Sequence, residues 1–297
     1  MRKVIRDKYF EGERSLYGIE DAVLDSITFG YGESPLKETS GLDIKNTIFT
    51  YKYPLWYSNQ INVVNSTFET MSRSGIWYTN DISIKNSNLQ APKLFRRCSK
   101  IELDHVFFSN AEETMWSCNQ IKITNSQVNG DYFGKDSSDI YLENVDIIGN
   151  YVFDGANNIE CHNCHFVSKD AFWNCENVKL VNCSLDGEYL AWNTNHIEFI
   201  NCSIKSDQGL CYINDLKLEN CQLLHTGLAF EKCSKIKAEI TNEVDSIKNP
   251  ISGKIHAHRI KTIIIDPEKV DPQATQIISD LPVFERIDHS DTNQEAK

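Results

Sequence analysis

Residues 159–166 read Ile159-Glu160-Cys161-His162-Asn163-Cys164-His165-Phe166, and this octet decides the fold. Ile159, Cys161, Cys164 and Phe166 are inward positions, and Glu160, His162 and His165 are outward ones. That is the alternation of a strand, broken once at the asparagine. Asparagine tolerates the left-handed conformation that a sharp bend requires. The octet recurs. Asn46, Asn65, Asn86, Asn125, Asn144, Asn163, Asn182, Asn201 and Asn220 fall 19 to 21 residues apart, with His105 at the one step that lacks asparagine. Four residues earlier stands an apolar residue such as Leu42, Ile61, Ile121 or Ile197; two residues earlier stands another, such as Ile44, Val63, Ile123 or Phe199.

A period near 20 suits one turn of a solenoid, in which each repeat stacks on its neighbours. The fold expected is an all-β, single-stranded, right-handed parallel β-helix of about eleven coils. The asparagines would stack at about 4.8 Å as a buried amide ladder that closes the bend. Residues 21–240 carry this pattern. Residues 1–20 lack it and read as an N-terminal cap over the open first coil. From 241 to 287 the pattern loosens into irregular terminal coils. A short helix is expected there from Asp271-Pro272 through Leu281, with Asp as cap and Pro at the first position. Residues 288–297 are polar and read as a disordered tail.

The net charge of −12 argues against nucleic acid, whose phosphates it would repel. No secretory leader is visible after Arg2 and Lys3, and no apolar run is long enough to cross a membrane. Cys164, Cys183, Cys202 and Cys221 share the column after the asparagine with Thr47, Ser66, Ser87 and Ser126. The column selects small buried side chains, so the ten cysteines read as free thiols of a reducing cytoplasm.

The second half of each coil is less uniform and carries the functional signal. One column, Leu55, Ile76, Phe95, Met115, Phe153, Phe172, Ala191 and Leu210, is apolar and faces the core. Its neighbour reads Trp56, Trp77, Arg96, Trp116, Lys135, Asp154, Trp173 and Trp192. Arg, Lys and Asp cannot all be buried without partners, so this column faces out and carries all five tryptophans. A further column of Lys93, Glu113, Tyr132, Tyr151, Asp170 and Tyr189 runs beside it. Placing both columns outside requires a bend between them.

Aromatic faces stack on sugar rings, and acids and amides bond their hydroxyls. On that reading Trp56, Trp77, Lys93, Arg96, Arg97, Trp116, Tyr132, Trp173, Tyr189 and Trp192 bind substrate. Asp131, Asp154, Asp170 and Glu113 are the acid–base candidates, since carboxylates one or two coils apart overlap the spacing of glycosidase pairs. The sequence offers no cofactor motif. Cys161 and Cys164 point inward while His162 and His165 point outward, so the four cannot converge on a tetrahedral zinc.

The strings Gly12-Glu-Arg14, Gly32-Glu-Ser-Pro-Leu-Lys-Glu38, Lys52-Tyr-Pro-Leu-Trp-Tyr57, Ala91-Pro-Lys-Leu-Phe-Arg-Arg-Cys98 and Lys169-Asp-Ala-Phe-Trp-Asn-Cys175 carry a family likeness. With them the chain resembles a bacterial family of right-handed parallel β-helix proteins that bears a domain-of-unknown-function label. The resemblance implies the pectin-lyase-like superfold and no established activity. Polygalacturonases of that fold carry Asn-Thr-Asp, Asp-Asp and Gly-His-Gly motifs, and none of these occurs here. Two functions follow from the stripe. The first is binding or processing of a carbohydrate, as a lyase, hydrolase or isomerase if enzymatic. The alternative is a scaffold or homo-oligomer that uses the tryptophans as an interface.

Overall fold

The computed structural model describes residues 2–288. Among these there is no helix, and the strands form a parallel β-solenoid of about 15 turns. The chain divides into two compact units, Met1–Ile159 and Glu160–Lys297.

In the first unit the apolar columns run in register through successive parallel strands. Ala22 lies opposite Leu42, which is opposite Ile61 and then Ile82. Ile82 is followed by Ile101, Ile121 and Ile140. All are buried. Phe10, Phe29, Phe49 and Phe68 stack ring on ring, with centroids 5.7, 5.2 and 4.5 Å apart. A period of 20 residues thus turns sequence repetition into continuous rows of like side chains, each row buried by its neighbours.

In the second unit Val178, Ile197 and Leu216 form the equivalent row. The register then shifts between Leu218 and Cys221 against the strand Ile236–Lys248, and again between Ile240 and Glu243 against Gly253–Ile264. Beyond the shifts the strands stay parallel, through Thr275–Ser279 and Glu285–Ile287.

Four expectations need correction. Residues 1–20 are no separate cap: Lys3–Phe10 is a strand paired in register with Glu20–Phe29, and so forms the first turn. Its apolar pattern is broken by Lys3, opposite Ala22, and Lys8, opposite Ile27. Lysine at an open edge disfavours pairing with another strand edge. No helix follows Asp271; turn residues lead directly into the strand Thr275–Ser279. The turn count exceeds eleven because the outermost turns keep the path but lose the asparagine. Finally, the asparagine row is exposed, not buried. Each of its members has φ between 50° and 54°, as does His105. A left-handed residue at the corner swings its side chain outward while both neighbouring apolar positions stay inside. Side-chain amides still bond along the row, from Asn144 to Asn125 at 3.2 Å in the first unit. In the second unit Asn182 donates to Asn163 at 3.3 Å and Asn220 to Asn201 at 2.8 Å. Of the expected tail, residues 289–297 lie outside the described residues.

The column after the asparagine is buried throughout. All ten cysteines are free thiols and buried. The thiols of Cys183, Cys202 and Cys221 donate to the carbonyls of Cys161, Leu180 and Phe199 on the preceding turn. Hydrogen bonding from the neighbouring thiol, with burial, pushes Cys183 and Cys202 up to about 12, which makes them poor nucleophiles.

Candidate functional site

The bend required between the two outer columns exists at every turn. Lys93, Glu113, Tyr132, Tyr151, Asp170 and Tyr189 all have positive φ, between 49° and 56°. A second left-handed residue follows at Met115, Phe153, Phe172 and Ala191, and a third at Tyr57, Tyr78, Arg97, Asn174 and Asn193. Non-glycine residues rarely adopt this conformation. Its recurrence at fixed positions gives the coil its sharp corners and carries the aromatic column to the surface side.

In the first unit that column is a continuous stack. The indoles of Trp56 and Trp77 are 5.3 Å apart and 8° from parallel. The guanidinium of Arg96 lies 4.7 Å from the centre of Trp77 and 4.6 Å from that of Trp116. Tyr53 covers Trp56 at 4.6 Å. Each indole N–H donates to a backbone carbonyl: Trp56 to Ser74, Trp77 to Lys93 at 2.9 Å, and Trp116 to Tyr132 at 2.7 Å. The tryptophans are half-buried, with ring faces turned along the solenoid toward one another and edges outward. In a parallel row Tyr57 and Tyr78, not singled out from the sequence, stack at 4.8 Å, and Arg97, expected to bind substrate, lies over Tyr78. The same spacing of 21 residues that separates Trp56 from Trp77 could have revealed it.

The acids of this unit are engaged. Glu113 joins Lys93 at 3.0 Å and Arg96 at 3.7 Å. Asp154 pairs with Lys135 at 2.5 Å, and Asp131 is exposed and accepts from the Asn150 N–H at 2.7 Å. Tyr132 stacks on Tyr151 at 4.8 Å. These groups therefore hold turns together.

In the second unit Trp173 and Trp192 are 6.4 Å apart, and Trp192 stacks on Tyr212 at 5.3 Å and meets Tyr189 at 5.7 Å. Asp170 differs from every other candidate acid. It is 6% exposed, and its carboxyl meets no ion-pair partner among the described residues. Burial raises its pKa above the ordinary 3.8; Lys169 opposes this and Glu188 adds to it. Lys169 itself is drawn to Glu188 at 3.5 Å. Beside this corner lies an open concavity of about 400 Å³, lined by Asp186, Gly187, Glu188, Lys205, Asp207 and His225. Lys205 binds Asp186 at 2.9 Å. None of this lining belongs to the site expected from the sequence. Asp186 and Lys205 end strands and look like solvated charges until the turns are stacked.

The histidines near Cys161 face away from the thiols. His162 meets Glu160 at 2.8 Å and His165 meets Ser184 at 2.6 Å.

A family described as "Protein of unknown function (DUF3737)" matches residues 3–278. The chain belongs to this family. Among curated proteins, none matches the DUF3737 chain in sequence. Among solved structures, the tailspike protein of E. coli bacteriophage HK620 in complex with a hexasaccharide is similar over 93% of this chain and 71% of its own, at 9% identity and a TM-score of 0.50. The same tailspike in complex with a pentasaccharide matches over 94% of this chain and 72% of its own, at 7% identity and a TM-score of 0.44. The A-module of the mannuronan C-5 epimerase AlgE4 from Azotobacter vinelandii matches over 96% and 87%, at 8% identity and a TM-score of 0.33. At such identity the tailspike likeness speaks to the β-helical fold of the DUF3737 chain alone.

Proposed function

We propose that this DUF3737 protein binds an oligosaccharide at the acidic concavity of its second unit, with the Tyr189–Trp192–Tyr212 cluster as the adjoining wall. The observation that carries the reading is Asp170. A buried carboxyl without an ion pair costs folding free energy, and such groups concentrate at functional sites. The Asp170 N–H donates to the Glu188 carbonyl at 2.9 Å, and the concavity that Glu188 lines offers acceptors for sugar hydroxyls in Asp186, Glu188 and Asp207 and donors in Lys205 and His225. The tailspike, whose fold this chain shares, is known in complex with a hexasaccharide, which supports the choice of ligand class. Burial raises the proton affinity of Asp170, which is the direction a general acid uses. The tryptophan faces in the first unit are covered by one another, so face-on sugar platforms there are not part of the proposal. Ten buried free thiols support a reducing compartment such as the cytoplasm.

A glycan array followed by calorimetry on the best ligand tests the reading. Binding that is lost in Asp170→Asn and in Trp192→Ala supports it. An array without any ligand, or unchanged affinity in both variants, ends it. A second reading, protein–protein association through the first unit, draws on the exposed rings of Tyr31 and Tyr57, 71% and 50% accessible, beside Arg97. Light scattering separates the two, because a monomer at all concentrations leaves no homo-oligomeric role for that face.

A further inference from the structure

The register shift in the second unit builds a basic cleft on a chain that is acidic overall. Lys217 lies opposite Lys237, and Lys237 opposite Lys254, on three successive parallel strands. Neighbouring strands are about 4.8 Å apart, so the three ammonium groups form one row on the outer face. Like charges placed directly opposite one another destabilise a sheet. Lys217 is offset by Glu219 at 3.1 Å and by Glu198 at 3.9 Å. Among the described residues, neither Lys237 nor Lys254 forms an ion pair. His256 extends the row and is held by Asp280 at 2.8 Å.

The row does not lie on a flat sheet. Between Leu218 and Cys221 the pairing slips against Ala238 and Ile240, which opens a concavity of about 340 Å³. Bulges of this kind re-aim side chains and recur beside binding sites. Lys217, Lys237, Lys254 and His256 line it, with Glu219 and Glu239 also present. Glu219 is already engaged by Lys217, and Glu239 is opposite His256. Among the described residues Lys237, Lys254 and Glu239 form no ion pair, so the lining carries three ammoniums against two carboxylates.

We infer that this cleft is a binding site for a phosphate-class oxyanion, either free or carried as a phosphate ester on a larger ligand. Ammonium groups grip such oxygens by charge-assisted hydrogen bonds, and a dianion would relieve the repulsion within the lysine row. The inference is independent of the sugar reading, since it uses none of the residues around Asp170.

The test is thermal unfolding and calorimetry of the full chain with inorganic phosphate, with glucose 6-phosphate as the ester arm and chloride at matched ionic strength as control. The comparison variant is Lys237→Gln with Lys254→Gln, both exposed positions; Lys100→Gln with Lys122→Gln is the remote control. Phosphate should raise the melting temperature of the native chain and of the remote control. The Lys237/Lys254 variant should bind at least about tenfold more weakly, and should melt higher than the native chain when no phosphate is present. Tighter binding of glucose 6-phosphate than of phosphate assigns the cleft to an ester; the reverse assigns it to the free ion. An equal phosphate effect on all three proteins is general salting-out and overturns the inference, as does no phosphate effect on the native chain.

Discussion

The guanidinium of Arg96 lies 4.6 Å from the ring centre of Trp116. Its other face meets Trp77, so one cation is held between the indoles of the turns before and after it. Nε and Nη2 are buried without a hydrogen bond, which leaves the ring faces and Glu113, at 3.7 Å, as their compensation. Each cation–π contact is worth about 1 kcal/mol when partly desolvated, so Arg96→Ala should cost about 2 kcal/mol. Arg96→Lys should recover only part of this, because an ammonium cannot lie flat against both rings. Denaturant titration of the three proteins gives the answer; equal stability of Arg96→Ala and the native chain would remove the stack as a source of cohesion.

This stack also marks where reading the sequence stops. The columns were legible, because a period of 20 with an asparagine at each corner leaves few alternatives to a solenoid. Trp56, Trp77, Arg96 and Trp116 share one half-buried row, as their common column implies. What their order along the chain could not express is ring orientation. Outward placement suggests faces offered to a ligand, whereas left-handed corners turn the faces along the row and leave only edges outside. For the same reason Asp170 could not be separated from Glu113, Asp131 and Asp154. All are acids near one corner, and only burial and partners, which come from stacked turns, tell them apart. Lys3 and Lys8, at positions that are apolar in later turns, give the first turn no apolar pattern.

Asp170 gives a second expectation, with a defined sign. Its native pKa is raised above the ordinary value by burial, while the unfolded chain ionises near about 3.9. Between the two values the native state binds more protons, so stability falls as pH rises through that window. Above the raised value the penalty is complete. Asp170→Asn removes the charge at no cost in shape, and should melt higher than the native chain at neutral pH. Below about pH 4 the difference should vanish. Melting curves at pH 3.5 and 7.5 decide it; a variant less stable at pH 7.5 would mean that the carboxylate is held by favourable contacts.

The inward lysines of the first turn give a third. Lys3 and Lys8 lie over Ala22 and Ile27, both buried one turn inside. Replacing both with isoleucine completes the apolar columns at an edge that has strand groups free to pair. Open apolar edges recruit other edges, so Lys3→Ile with Lys8→Ile should self-associate with rising concentration. Multi-angle light scattering reads the mass directly. A variant that stays at the mass of the native chain would show that some other feature protects this end.

Asp104 supplies the opposite pH dependence. Its Oδ1 accepts from the Asn125 amide at 2.9 Å and the Thr124 hydroxyl at 2.8 Å, with His105 Nδ1 at 3.0 Å. The Asn125 hydrogen bond is the largest of the influences that lower its pKa, which falls to about 2. Here the unfolded state binds the proton first. The stabilisation is therefore full above the ordinary carboxylate range and is lost as pH falls toward about 2. Asp104 stands where the turn at His105 lacks an asparagine, so its carboxylate takes the amide that an asparagine would otherwise receive. Asp104→Ala should lower the melting temperature at pH 6 and converge with the native chain by about pH 2. A constant gap between the two curves across that range would assign the effect to shape and not to charge, and would place the hydrogen bond from Asn125 outside the ionised state.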